Sequence, residues 1–250
     1  MSLVVREIQA KSILSRSGIE GISYTVNPYT GCSHGCRYCY ATFMKKYSGH
    51  TEPWGQFVDV KLNAPVLLGR QLPRAQNGTI ILSSVTDPYQ HLEGKYKLTR
   101  ECLSVLSKYE FPVEVLTKSP LVTRDVDVIE KCKHIEVGLT ITTDDDRVRR
   151  IFEPQAPSVE KRFAALRSLR DAGIRTYVFI GPVLPMRPEA LAKQIRPHVD
   201  RVLIDAMNYS SKTLAIYRAH SLEDWLKPAY VHSVIERLRD SFNAVPTEIC

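Results

Sequence analysis

Residues 30 to 41 read Thr30, Gly31, Cys32, Ser33, His34, Gly35, Cys36, Arg37, Tyr38, Cys39, Tyr40 and Ala41, which sets three cysteines in the spacing C-x3-C-x2-C. A thiolate is a soft ligand, and a reduced chain that crowds three of them together is equipped to hold a metal. No fourth cysteine is near, since the next is Cys102. Three thiolates can hold three irons of a four-iron cluster and leave the fourth iron open to an outside ligand. An open coordination position separates a reactive metal centre from a structural one.

Two blander uses compete. A zinc knuckle needs a fourth ligand, for which His34 and His50 are the candidates. His34 falls between the first two cysteines, where a short loop struggles to aim four ligands tetrahedrally. His50 has no second histidine at zinc-finger spacing. A disulfide framework belongs to small secreted chains. A cytosolic module using zinc or iron–sulfur only structurally stands as the non-enzyme alternative.

With 250 residues, 44% of them hydrophobic, the chain has room for a large core. No run approaches the ~18 apolar residues of a membrane span. Residues 1–11 alternate charge with short apolar pieces and lack a signal-peptide core. The expectation is therefore a cytoplasmic protein without membrane association. The net charge of +7 suits a polyanionic partner such as DNA or RNA. It also fits solvated helix surface, because the densest patch, Arg147 to Arg150, directly follows Asp144, Asp145 and Asp146.

The elements that must position the cysteine loop show in the hydrophobic rhythm. Apolar β-rich runs at residues 23–27, 79–83, 113–117, 135–141, 175–180 and 202–205 read as strands, with a shorter one at 57–60. Helical patterns occupy 41–47, 64–71, 98–109, 123–132, 158–172, 188–196, 214–218 and 229–242. Ser158 caps the helix at 158–172, Glu160 sits in its first turn and Gly173 closes it. Six strand–helix units favour a parallel sheet, because parallel neighbours need crossovers. A partial barrel and a doubly wound sheet both satisfy this periodicity.

In either fold, chemistry collects where the carboxyl ends of the strands meet the following loops. After the first strand comes the cysteine loop. After the second come Ser84, Val85, Thr86, Asp87, Pro88, Tyr89 and Gln90; after the third, Lys118 and Ser119. The fourth leads to Thr140, Thr142, Glu153, Pro154 and Arg162, the fifth to Gly181, Pro182 and Val183, and the sixth to Asp205 and Asn208. Each has an ordinary structural explanation alone: Asp-Pro starts turns, and threonine suits strands. Six polar strand ends around one cysteine loop are harder to set aside as coincidence.

The motifs Gly31–Cys32…Cys36–Arg37–Tyr38–Cys39–Tyr40, Ser84 to Gln90, Thr117–Lys118–Ser119 and Arg150–Ile151–Phe152–Glu153–Pro154 with Arg162 resemble the spore photoproduct lyase-like branch of the radical S-adenosylmethionine (SAM) superfamily. The match spans roughly residues 22–210. The resemblance implies an α/β fold, a partial (β/α)6 TIM-like barrel of the radical SAM type. Residues 1–250 then form one radical SAM domain with a C-terminal helical extension at 211–250. It further implies a [4Fe–4S] cluster on Cys32, Cys36 and Cys39, with SAM on the fourth iron, and an external reductant such as flavodoxin or ferredoxin. By similarity, Lys118 and Arg162 take the SAM carboxylate; Thr140, Thr142 and Glu153 serve its amino group and ribose; Tyr38 and Val183 flank the adenine. Ser84, Thr86, Asp87 and Asn208 are further cofactor-binding candidates, and Tyr38, Tyr40 and Ser84 catalytic ones.

The match departs at one position. The lyases place a hydrogen-donating cysteine at the end of the second strand, where this chain has Ser84. A serine O–H is a much poorer hydrogen-atom donor, so the final quenching step of the lyase reaction does not carry over. Cys102 and Cys132 have no C-x2-C partner and read as buried helix-face residues, and Cys250 as a free thiol. The expected activity is radical chemistry on DNA or a nucleotide, the alternative the same chemistry on a peptide or small metabolite.

Overall fold

The computed structural model of the protein describes residues 3–208 and 210–250. Its strands are β1 (Val4–Ile8), β2 (Leu14–Arg16), β3 (Tyr24–Val26), β4 (Tyr29–Thr30), β5 (Phe57–Lys61), β6 (Ile80–Leu82), β7 (Val113–Thr117), β8 (Ile135–Thr140), β9 (Thr176–Ile180), β10 (Arg201–Ile204) and β11 (Thr247–Ile249). The main sheet runs β2-β3-β6-β7-β8-β9-β10-β11, parallel from β3 onward, with β2 antiparallel at one edge. Its six central strands are those read from the sequence.

The strand order decides between the two folds left open. A doubly wound sheet reverses direction at a switch point. Here every parallel strand lies on the same side of its predecessor. Crossovers of one hand then place every helix on one face, and the sheet curls about the other as an open, partial barrel.

Side chains follow the pleat. In β7, Val113, Val115 and Thr117 are buried against the outer layer, whereas Glu114 and Leu116 face the lumen together with Lys118 just beyond. Ile81, Tyr177, Phe179 and Leu203 occupy matching inward positions on β6, β9 and β10. Lower in the barrel, Arg201 lies 4.4 Å from the Tyr177 ring centre and contacts Glu136 at 2.8 Å and Glu114 at 3.3 Å. Tyr177 has room because β8 carries Gly138 beside it, where a Cβ would stand 2.3 Å from the Tyr177 ring.

Several elements differ from expectation. The segment at 41–47 is a 3-10 helix, Tyr40–Tyr47, and the helix at 98–109 stops at Leu106. The helix expected at 123–132 is a 3-10 turn, Pro120–Asp125, leading into a short α-helix, Val126–Ile129. Buried Asp125 sits at the junction, ion-paired to Arg100 and Arg124. The unexpected helix Asp146–Phe152 is capped by Asp145, which accepts from the Arg147 amide at 2.8 Å. The expected tail supplies β11. A second sheet, β1-β5-β4, stands beside the barrel and carries the approach to the cysteine loop. Among the described residues, no helix is long and apolar enough to cross a membrane.

Replacing Gly138 by alanine should displace Tyr177 and lower stability by about 1–3 kcal/mol, read from the denaturant midpoint. Gly94→Ala, with open space at the new Cβ, should leave that midpoint unchanged or raised.

Candidate functional site

The cysteine loop follows β4 and is held by its own turns and by neighbours distant in sequence. The Gly35 amide donates to the Cys32 carbonyl at 3.3 Å, and the Cys39 amide to the Cys36 carbonyl at 3.2 Å. From across the barrel, the Arg37 amide donates to the Phe152 carbonyl at 2.8 Å, and the Gln155 amide to the His34 carbonyl at 3.3 Å.

The loop after β6 clamps it from the other side. Gln90 Oε1 accepts from the Ser33 amide at 2.9 Å, while Gln90 Nε2 donates to the Gly31 carbonyl at 3.2 Å. The Thr86 hydroxyl donates to the same carbonyl at 2.5 Å and accepts from Gln90 at 2.9 Å. Asp87 accepts from the Thr117 hydroxyl at 2.6 Å and from the Tyr89 and Lys118 amides at 2.9 and 2.8 Å, and it faces His34 Nδ1 at 3.4 Å. Burial works against its charge, yet His34, Thr117 and Lys118 hold the carboxyl well below the usual range. Thr86 and Asp87 line the cavity, but every strong contact they make is to the protein.

The clamped loop borders a cavity of about 680 Å³ at the carboxyl ends of the barrel strands, within the usual range of ligand sites. Of the candidates, Cys32, Cys36, Cys39, Tyr38, Tyr40, Ser84, Thr86, Asp87, Lys118, Thr140 and Asn208 line it. Thr142, Glu153, Arg162 and Val183 do not; they lie almost wholly buried behind its wall.

That buried layer has a definite arrangement. Arg162 sits on the inner stripe of the helix Val159–Asp171, whose N-cap is Ser158 as expected. Its guanidinium is ion-paired to Glu153 and donates to the Thr140 carbonyl at 3.1 Å and the Pro157 carbonyl at 3.0–3.1 Å. Glu153 also accepts from the Tyr38 hydroxyl and from the Thr142 hydroxyl at 3.0 Å. Arg162 therefore has no exposed edge for a carboxylate in the cavity. Arg162, Glu153 and Thr142 thus contact one another and Tyr38. Val183 is equally withdrawn, packed in the barrel core with its amide donating to the Asp205 carbonyl at 2.9 Å.

Lys118 is different. Its ammonium stands 5.7 Å from the Tyr38 ring centre and makes no ion pair or hydrogen bond among the described residues. Burial lowers its pKa, but Cys36 and Glu153 raise it further, and the group stays cationic. At the mouth, Tyr40 donates its hydroxyl to the Ser84 carbonyl, and Asn208 donates to Asp205 at 3.1 Å.

The donor set fits an iron–sulfur cluster. Burial pushes the Cys36 thiol up to about 12, against the pull of Lys118, and raises Cys32 and Cys39 as well. Thiolates here need a cationic metal group beside them. All six cysteines are unbridged, and among the described residues no three His, Cys, Asp or Glu side chains converge on one metal ion. Both histidines once open to zinc are engaged elsewhere: His34 with Asp87, and His50 with Glu52 at 2.9 Å and Asp59 at 2.8 Å.

Sequence reasoning missed Ser83 and Trp54. Ser83 takes the left-handed conformation at φ 68° and lines the cavity with a buried hydroxyl that has no hydrogen-bond partner among the described residues. Trp54 lines it with a buried indole N–H that likewise has none among them. Neither belongs to a repeated spacing.

Residues 26–188 match the family model described as Radical SAM superfamily. An uncharacterized protein of Methanocaldococcus jannaschii is 41% identical over 72% of this chain and 67% of its own. An uncharacterized protein of Mycobacterium tuberculosis is 31% identical over 80% of this chain and 61% of its own, so this chain spans less than two thirds of that relative. Among solved structures, a spore photoproduct lyase variant with bound AdoMet and dinucleoside spore photoproduct superposes with a TM-score of 0.71 at 13% identity, over 99% of this chain and 81% of the other. That likeness concerns the fold.

The Glu153–Arg162 pair generates a prediction. Burial opposes ionisation of Glu153, but Arg162 and Lys118 hold its pKa near 2, below the ordinary 4.5. A depressed folded pKa stabilises the fold above the unfolded value and loses that stabilisation as pH falls through the folded one. Denaturation midpoints should therefore fall between pH 4.5 and 2, less steeply in Glu153→Gln. Arg162→Leu should cost about 3–5 kcal/mol at neutral pH by stranding a buried carboxylate.

Proposed function

The chain belongs to the radical SAM superfamily, and from that premise we propose that Cys32, Cys36 and Cys39 hold a [4Fe–4S] cluster and that the adjoining cavity binds SAM and a substrate that yields a hydrogen atom. The observation that carries this reading is the Lys118 ammonium, without an ion pair or hydrogen bond among the described residues, in the same cavity as three clamped cysteines. When bound, the reduced cluster supplies the electron that splits SAM into methionine and a 5′-deoxyadenosyl radical, with a protein such as flavodoxin or ferredoxin as the source.

The chain's own residues bind and orient. Lys118 receives the SAM carboxylate, because an ammonium in a half-buried wall is best compensated by an anion. Tyr38, its hydroxyl fixed by Glu153, offers a ring face for the adenine, and Thr140 and Asn208 line the wall for the ribose and amino group. Arg162, Glu153 and Thr142 position Tyr38, while Asp87 and Thr86 position the cysteine loop. Tyr40 and Ser84 meet at the cavity mouth, where Tyr40 is the candidate for hydrogen-atom relay.

The substrate reading we favour is a nucleotide or nucleic acid strand. The helix Tyr40–Tyr47 runs outward from the cavity mouth and exposes Tyr40, Phe43 and Tyr47 among Arg37, Lys45 and Lys46. Stacking faces set among cations suit a single strand whose bases are splayed. The lyase structure with its bound dinucleoside spore photoproduct supports the same class. A peptide or small metabolite is the second reading, favoured by Asp205 and Glu248 on the wall away from the cysteines. Residues 1–250 would act as one radical SAM unit in either case.

Anaerobic reconstitution should give about four irons per chain, and reduction with SAM should yield 5′-deoxyadenosine; stoichiometric zinc instead would overturn the assignment. Lys118→Ala should bind SAM at least tenfold more weakly by equilibrium titration, with iron content unchanged. If the substrate is nucleic acid, single-stranded DNA or RNA binding should weaken steeply with salt, and Phe43→Ala with Tyr47→Ala should cost about 1–3 kcal/mol per lost stacking face. A flat salt response would favour the second reading.

A further inference from the structure

Trp54 carries a donor that the fold does not use. Its indole Nε1 is buried and has no hydrogen-bond partner among the described residues. An indole N–H can only donate, and leaving one unpaired costs about 1–3 kcal/mol. Native chains retain such a group where something absent from the bare chain receives it.

The surroundings identify the acceptor. Trp54 lines the same cavity as Cys32, Cys36 and Cys39. The indole is held in place from behind. It meets Phe57 edge-on at 5.8 Å, and Phe57 stacks on His50 at 4.3 Å, with both His50 nitrogens tied to carboxylates. Gly55, at φ 93°, lies so close to the cysteine loop that a Cβ there would stand 2.7 Å from the Gly35 Cα. The turn bearing Trp54 is thus seated on the cysteine loop.

We propose that Trp54 donates its indole N–H to a sulfur of the cluster held by the cysteine loop and thereby makes the cluster easier to reduce. The inference rests on the cluster assignment proposed above. Reduction adds one negative charge that is shared with the sulfur ligands, and a fixed N–H in a dry wall stabilises the reduced state more than the oxidised one. Such outer hydrogen bonds are a recognised lever on cluster potential. Trp54 is in this sense a positioning and tuning residue, placed by the side sheet rather than by the barrel.

The test is an EPR-monitored redox titration of the reconstituted holoprotein, comparing wild type with Trp54→Phe and Trp225→Phe. Phenylalanine keeps a ring against Phe57 and removes only the donor. Trp225 packs against Tyr230 away from the cavity and serves as the control. Trp54→Phe should lower the cluster potential by about 59 mV, a tenfold change in a one-electron equilibrium, while Trp225→Phe leaves it unchanged. A potential that stays put or rises in Trp54→Phe overturns the inference. Should Trp54→Phe fail to load iron, benzothienylalanine at position 54 in a Trp225→Phe background replaces the N–H with sulfur and is judged by the same criterion. A wild-type chain that takes up no cluster would instead overturn the cluster assignment itself, and the two failures are thereby distinguished.

Discussion

One buried carboxylate holds the site together. Asp87 receives the Thr117 hydroxyl, the Tyr89 and Lys118 amides and the His34 ring, so one side chain ties the end of β6 to the end of β7 and to the cysteine loop. A charge taken out of water is tolerable only when its lone pairs are met, and these are. The arrangement also points Lys118 inward, since fixing its amide on Asp87 leaves the side chain the next inward step after Glu114 and Leu116.

A second buried charge pair stands behind the opposite part of the wall. Glu153 and Arg162 are fully enclosed and bonded to Thr142, Thr140 and Pro157, and through Tyr38 they reach the cavity. Together the two carboxylates brace the cysteine loop from either side, leaving Lys118 as the cation that faces the cavity without an ion pair or hydrogen bond among the described residues. The polar groups around the site divide by this rule. Those whose bonds close within the protein hold shape, and those without a hydrogen bond from the side chain among the described residues, Lys118, Ser83 and Trp54, line the cavity.

The side sheet adds a separate support. β5 pairs with β4 directly before the cysteine loop, and its Phe57 stacks on His50 and meets Trp54 edge-on. The loop is therefore pinned by the barrel on one side and by this sheet on the other. Ser84 fits the same picture from the chemical side. It lines the same cavity, with its hydroxyl accepting from Asn27 at 3.5 Å.

The spacing of Cys32, Cys36 and Cys39, the six parallel strands and the capped helix at residues 158–172 were legible in the chain because each is a local pattern. Ligand spacing, strand alternation and capping are set within a few residues. The elements misread were those whose form depends on distant partners. Pro120–Asp125 tightens around a buried Asp125 bound to Arg100 and Arg124, and β11 exists only because β10 offers it an edge. The roles within the site were decided the same way. Thr86, Asp87, Thr142, Glu153 and Arg162 were recognisable as a motif, yet as residue types they serve equally as ligand contacts or as braces. Which they are depends on whether their hydrogen bonds close on the protein or open to the cavity, and that is a property of strands brought together from 30 to more than 100 residues apart.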